Sequence, residues 1–259
     1  MSRFSDAVRL SAGTFSAVPV PAPRRVDRET AGIAVAIAPL AVLPVGVFVA
    51  LVAWGARELG LEPVVVGALA IGAGAWATRG FHLDGLADTA DALASSYDRD
   101  RALTVARTGD VGPAGAATLV LVLLVQAASA GFVAACWPWG PAAVGVLWCL
   151  ARAGATVGLR RGVPAARQDG MGATFAGSVH PLVLVVVWLL VAAIAVATTG
   201  LTAAPMAHGL VTAVVTLVAV FAVVTHVVRR LGGIIGDAVG ASVEIALVVL
   251  LVGFSAVVG

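Results

Sequence analysis

Apolar residues occupy this chain in long runs, and polar residues are confined to short stretches between them. A run of about 20 predominantly apolar residues is the length of a helix that crosses a bilayer. Seven segments fit that template: Ala31 to Trp54, Pro63 to Thr78, Gly112 to Trp137, Pro141 to Leu159, Pro181 to Thr199, Met206 to Val228 and Val239 to Val258. The second is short and needs part of its flank. Pro39 and Pro44 should kink the first, because each removes a helix N–H and crowds the preceding turn. Ahead of the first run, Phe4, Val8, Leu10 and Phe15 are set among polar residues and five arginines, with no continuous apolar stretch leading to a small-residue cleavage site. That pattern excludes a signal peptide and predicts an amphipathic helix lying in the interface and ending near Pro19 and Pro21. The expected fold is all-α: a polytopic transmembrane helical bundle of about seven spanning helices with an N-terminal amphipathic interfacial helix, residues 1–259 forming one integral membrane domain.

Composition agrees. Sixty per cent of the 259 residues are hydrophobic and 12% are charged, against about 45–50% and 25% in soluble domains. Every basic residue is Arg, and the arginines divide unevenly. Five precede the first run, four follow the second, three follow the fourth and two follow the sixth, whereas the alternate loops hold only Arg57. Such asymmetry predicts a multi-pass protein of the plasma or inner membrane, with the N-terminus and the Arg-rich loops cytoplasmic. Cys136 and Cys149 lack metal-ligand spacing and read as small core hydrophobes. With a formal net charge of +2, no nucleic-acid partner is expected.

The polar stretches carry the chemistry. In His82-Leu83-Asp84-Gly85-Leu86-Ala87-Asp88-Thr89-Ala90-Asp91 the aspartates stand at i, i+4 and i+7. At about 100° per residue they fall within about 60° of arc on one helix face. Like charges at that spacing repel, so the stripe is either a solvated acidic face or a site for a divalent cation. Hard oxygen donors favour Mg²⁺ over zinc. His82 beside the stripe is a candidate general base or phosphate donor.

A second polar stretch runs from Gly232 to Glu244. Asp237 and Glu244 are seven apart, on one face if a helix begins near Asp237, and Glu244 then lies about two turns into the membrane, where an ionisable group is a functional candidate. Gly232, Gly233 and Gly236 permit close approach either of a phosphate or of another backbone. Arg152 stands well inside a span and is either a structural partner or a phosphate clamp. Arg107 and Asp110, with Gly112 and Gly115, lead into the third run and suit either anion contact or an ordinary helix start. Arg160, Arg161, Arg167 and the Gly170-Met171-Gly172 turn form a basic loop that either sets topology or meets substrate.

Taken together, these stretches resemble the cobalamin synthase family, the adenosylcobinamide-GDP ribazoletransferases. His82 to Asp91 looks like the family's signature. Phe15-Ser16-Ala17-Val18-Pro19-Val20-Pro21 is similar to its early Pro-containing segment, Gly170 to Phe175 to its central Gly-x-Gly-x-x-Phe turn, and Gly232 to Glu244 to its late Gly-Gly-x-x-Gly-Asp-x-x-Gly-Ala segment. The chain departs from the family at Arg79-Gly80, where Gly-Gly is common, and at Ala92, Ile235 and Arg107-Thr108-Gly109. The resemblance implies transfer of the adenosylcobinamide phosphoryl group from adenosylcobinamide-GDP to α-ribazole or its 5′-phosphate, with release of GMP. The catalytic residues expected on that basis are Asp84, Asp88, Asp91 and His82. Asp84, Asp88, Asp91, Asp237 and Glu244 are expected to hold Mg²⁺, and Arg107, Asp110, Arg152, Gly232, Gly233 and Gly236 to contact substrate. Partners would be these two substrates and membrane lipid, and the chain is compatible with a homo-oligomer.

Two rival readings make different demands. A CDP-alcohol phosphotransferase places Arg where Asp88 stands. A cation-coupled transporter places its ionisable groups near the bilayer midplane on broken helices, whereas here the acids gather at one edge.

Overall fold

The computed structural model describes residues 2–136, 138–168, 170–202 and 205–256; Trp137 and Val258, where two of the expected spans end, and the Met171 side chain lie outside them. In chain order the helices are α1 (Arg3–Phe15), α2 (Arg28–Ala36), α3 (Ala38–Ala41), α4 (Leu43–Glu58), α5 (Pro63–Ala77), α6 (Phe81–Ser95), α7 (Arg99–Val105), α8 (Pro113–Ala135), α9 (Gly140–Leu150), α10 (Gly154–Gly158), α11 (Gly170–Phe175), α12 (Pro181–Thr202), α13 (Met206–Leu231) and α14 (Gly236–Ser255). The described residues form no named strand.

Among the described residues, five helical segments are long and apolar enough to cross a membrane: α8, the Gly140–Gly158 segment that joins α9 and α10 through a 3-10 turn, α12, α13 and α14. The two remaining apolar runs are broken. Pro39 and Pro44 divide the first into α2, α3 and α4, each proline near the start of the next piece, where its missing N–H is not needed. The second run gives α5, only 15 residues long, which passes the same test only when joined to α6 across a bend of 92°.

The core between helices is built from small residues. A Cβ on Gly67 would lie 1.9 Å from the Ala127 carbonyl, one on Gly131 2.0 Å from the Pro63 carbonyl, and one on Gly145 2.4 Å from that of Gly46. Backbones therefore touch along α5–α8 and α4–α9. That is how helices associate in lipid, where large apolar side chains gain little by turning inward. The large side chains point out: Leu182, Val185, Val186, Leu189 and Leu190 of α12 and Leu210, Val214 and Val218 of α13 are exposed, a surface that water would penalise and hydrocarbon would not.

The amphipathic helix is present as α1. It turns Ala7, Ser11, Ala12 and Phe15 towards the bundle, beside α2 and α3, and leaves Phe4 and Val8 outside. Asp6 accepts the Arg24 N–H at 3.0 Å, and Ala17 N–H donates to the Ala77 carbonyl at 2.7 Å, so the Pro-containing segment is tied back to the end of α5.

One end of the bundle gathers the Arg-rich segments. Arg99 donates to the Ala166 carbonyl at 3.0 Å, Arg167 to that of Leu103, and Arg230 to those of Ser96 at 2.6 Å and Leu93 at 3.2 Å. Arg57 belongs to the other end, where it donates to the Ala134 carbonyl at the close of α8.

Candidate active site

The site starts from the break between α5 and α6. Arg79 and Gly80 both adopt left-handed backbone, with φ of 56° and 68°, and this pair turns the chain out of the α5 direction. The helix that follows settles on α14 and α8. Contact with α14 is close because two glycines face it: a Cβ on Gly85 would sit 2.6 Å from the Asp237 carbonyl, and one on Gly240 3.0 Å from that of His82. The two polar stretches, far apart in sequence, thereby meet, and Asp84 and Asp88 of α6 come beside Asp237 in the first turn of α14. A 20-residue helix presents its positive dipole end at that point, which favours an anion.

The three carboxylates feel one another. Asp84 is exposed, while Asp88 and Asp237 are half-buried. Burial raises Asp88 first, and the charges of Asp84, Asp237 and Asp91 add to it, so its carboxyl is pushed up to about 6. Arg167 is a charge neighbour of Asp237.

The other two expected ligands lie apart from these three and have protein partners. Asp91 caps α8: Gly112 N–H donates to its Oδ2 at 2.7 Å and Gly115 N–H to its Oδ1 at 2.9 Å. Both glycines are required, since a Cβ on either would collide with that carboxylate at 2.3 to 2.5 Å. Glu244 is buried inside the bundle, where Gln126 Nε2 donates to its Oε2 at 2.8 Å. Among the described residues no three His, Cys, Asp or Glu side chains close into a ready-made metal cage. Of the five carboxylates expected at the metal, Asp91 is thus bonded by backbone amides and Glu244 by an amide side chain.

Arg152, expected at substrate, is 1% exposed and stacks over the Trp148 ring while donating to the Trp148 carbonyl, with Glu244 as a charge neighbour. It belongs to the interior, not to an open phosphate site. His82 is 2% exposed, stacked on Phe15 at 5.7 Å and edge-on to Phe81 at 5.9 Å. Burial, helped by the charge of Arg152, pushes its imidazole down to about 3, so it is neutral at pH 7. Gly232 ends α13 with φ of 71° and lies against the Arg99 guanidinium, and a Cβ on Gly233 would strike Ala166 N at 2.4 Å. These two glycines serve backbone approach to protein; at Gly236 an added Cβ would meet nothing within 4 Å. Arg107 and Arg167 share an open cleft of about 340 Å³ with Asp100, and Asp110 is exposed.

Three features escaped the sequence reading. Arg28 joins Arg161 around an open cleft of about 470 Å³. Arg230 closes the end of α6 through its hydrogen bonds to Leu93 and Ser96. Phe15, Phe81, His82 and Phe175 wall an apolar cavity of about 160 Å³ that reaches Asp237. The aromatic spacing gives no hint of the cavity, because its aromatic walls come from three separate helices.

The sequence profile of cobalamin-5-phosphate synthase matches residues 7–255. An adenosylcobinamide-GDP ribazoletransferase from a Nocardioides species is 46% identical over 189 residues, 73% of this chain and 81% of that protein. One from Frankia casuarinae is 33% identical over 192 residues, 70% of this chain and 68% of that protein, and one from a Roseiflexus species is 35% identical over 166 residues, 63% and 59%. No solved structure matches the chain.

Proposed function

Because the chain belongs to the cobalamin-5-phosphate synthase family, we propose that it transfers the adenosylcobinamide phosphoryl group of adenosylcobinamide-GDP to α-ribazole or its 5′-phosphate and releases GMP. In the reaction a ribazole hydroxyl oxygen bonds to the phosphorus that carries cobinamide, the bridging P–O bond breaks, and GMP leaves with that electron pair. Such a transfer needs positioned charge more than covalent help from protein.

The observation that carries the reading is the α6–α14 contact, which sets Asp84, Asp88 and Asp237 on one face at the Arg-rich end of the bundle. These oxygens fit Mg²⁺, which keeps several waters and is commonly bound by one or two carboxylates together with substrate phosphates; a ready-made cage is not required. Asp84 and Asp237 would hold the ion, which when bound neutralises charge on the bridging and leaving oxygens. Asp88 takes the proton of the attacking hydroxyl, since burial, and after it the neighbouring like charges, raise its proton affinity. Asp91 fixes α8 against α6, and Glu244 with Gln126 fixes the interior below. Arg107 and Arg167 balance the phosphate of the departing GMP. The Arg-rich end is assigned to the cytoplasm by the distribution of arginines, in the plasma or inner membrane.

The test is turnover by purified chain in nanodiscs, followed as GMP release and corrinoid product. Wild type should require Mg²⁺ and both substrates, and Asp88→Asn should lose at least about 100-fold in kcat while remaining monodisperse. Full turnover by Asp88→Asn would overturn the assignment of the site. Turnover with a CDP-alcohol and not with adenosylcobinamide-GDP would overturn the reaction.

A further inference from the structure

The apolar cavity beside the carboxylates has its own chemistry. Phe15 of α1, Phe81 and His82 of α6, Phe175 of α11 and Val239 of α14 wall it, and Asp237 stands at its edge. Its volume of about 160 Å³ is close to that of an engineered apolar cavity of about 150 Å³ that takes benzene. Gly172 and Gly236 also line it, and the space beside Gly236 is open.

One wall is not apolar. The His82 ring is buried, and neither Nδ1 nor Nε2 has a hydrogen-bond partner. A buried polar group left unpaired is costly and calls for a partner. The cavity that the ring lines therefore asks for a ligand that is flat and aromatic, to pack against three phenylalanine rings, and that carries a ring nitrogen for the imidazole. A lipid tail would satisfy the walls and leave His82 unpaired. Guanine would satisfy His82, yet its carbonyl, amino and ring N–H edges would be stranded against apolar walls.

We propose that this cavity seats the benzimidazole base of the acceptor nucleoside, with the His82 ring, whose nitrogens lie just beneath the wall, turning to donate to the base nitrogen that is not bonded to ribose. This rests on the ribazoletransferase reading above. The base then anchors α-ribazole with its sugar towards Asp237 and Asp88, which sets the attacking hydroxyl at the carboxylate face. His82 is in this role a binding residue, and the aromatic box determines acceptor specificity.

The experiment measures binding without turnover, by equilibrium dialysis on the full chain in nanodiscs. Two variants are compared with wild type: Val239→Trp, which fills the cavity from a half-buried position, and His82→Phe, which keeps a ring and removes its nitrogens. Both should weaken α-ribazole by about tenfold or more, the loss of a hydrogen bond to a buried partner or of the space itself, and leave adenosylcobinamide-GDP affinity within about twofold. Wild type should prefer 5,6-dimethylbenzimidazole to 5,6-dimethylindane, and His82→Phe should erase the preference. Since His82→Phe removes an unpaired buried polar group, it folds at least as stably as wild type and carries the test if Val239→Trp does not fold. Unchanged α-ribazole binding in folded His82→Phe, equal binding of the indane, or loss of the donor in place of the acceptor would overturn the proposal while the reaction stands. Wild type binding neither substrate would remove the ribazoletransferase reading and this proposal with it.

Discussion

Asp88 and Asp91 lie three residues apart on one face of α6 and do different work. Asp88 stays half in solvent among like charges, and Asp91 is drawn into the amides of Gly112 and Gly115. Asp91→Ala should therefore cost about 1 to 2 kcal/mol of stability in thermal or denaturant unfolding, with Asp91→Asn recovering part of it, and should lower activity mainly through stability. Asp88 should instead be visible in pH dependence. Its carboxyl rises from 3.8 to about 6 on folding, so without a cation the folded chain holds the extra proton between those values, and stability falls as pH climbs through that window. Asp88→Asn should flatten that slope in unfolding curves recorded at several pH values. Turnover should show the opposite sign, rising through an acid limb at or below pH 6 that moves lower as Mg²⁺ increases, because the proton acceptor must be ionised. Helical spacing was enough to place the three aspartates on one face. It had no means of showing that one of them would be claimed by the start of α8, because that partner arrives only with tertiary packing.

At the scale of elements, the positions of the helices were written in the apolar runs, and the prolines marked where the first run breaks. The bend between α5 and α6 was not legible, since Arg79 in left-handed backbone is a conformation that sequence propensity argues against. The cobalamin synthase resemblance supplied the clue without its meaning: Gly is common where Arg79 stands, and the structure shows a positive φ there. Arg79→Gly should raise stability by about 1 kcal/mol, the strain released less the flexibility gained by the unfolded chain, read as a higher midpoint of thermal unfolding. Gly85 has the opposite constraint. A Cβ there would press on the Asp237 carbonyl, so Gly85→Ala should part α6 from α14 and reduce kcat by at least about tenfold, with a smaller effect on the amount of folded protein.

For the whole molecule, the arginine asymmetry and the structure agree on which segments share an end. The loops after α6, α10 and α13 are joined by the Arg99, Arg167 and Arg230 hydrogen bonds, and Arg57 is anchored at the far end of α8. The proposed orientation, with the Arg-rich end in the cytoplasm, rests on the positive-inside tendency. In a background with Cys136 and Cys149 replaced, Tyr97→Cys, at a side chain 92% exposed on the Arg-rich end, should resist an impermeant maleimide in intact cells. Leu59→Cys, 78% exposed at the opposite end, should react. The reverse pattern would put the carboxylates outside. What the chain pattern did not disclose at this scale is the aromatic cavity, whose aromatic walls are one or two residues each from helices distant in sequence and leave no periodic trace.

The central claim is that Asp84 and Asp237, brought together by α6 on α14, hold a divalent cation in company with the donor diphosphate. Titration of Mn²⁺, a paramagnetic stand-in for Mg²⁺, into the purified chain tests this directly. The account predicts weak binding to the chain alone, at least about tenfold tighter binding once adenosylcobinamide-GDP is present, and loss of that gain in the Asp84→Asn, Asp237→Asn double variant. Donor-independent Mn²⁺ binding, or full enhancement in the double variant, would contradict it.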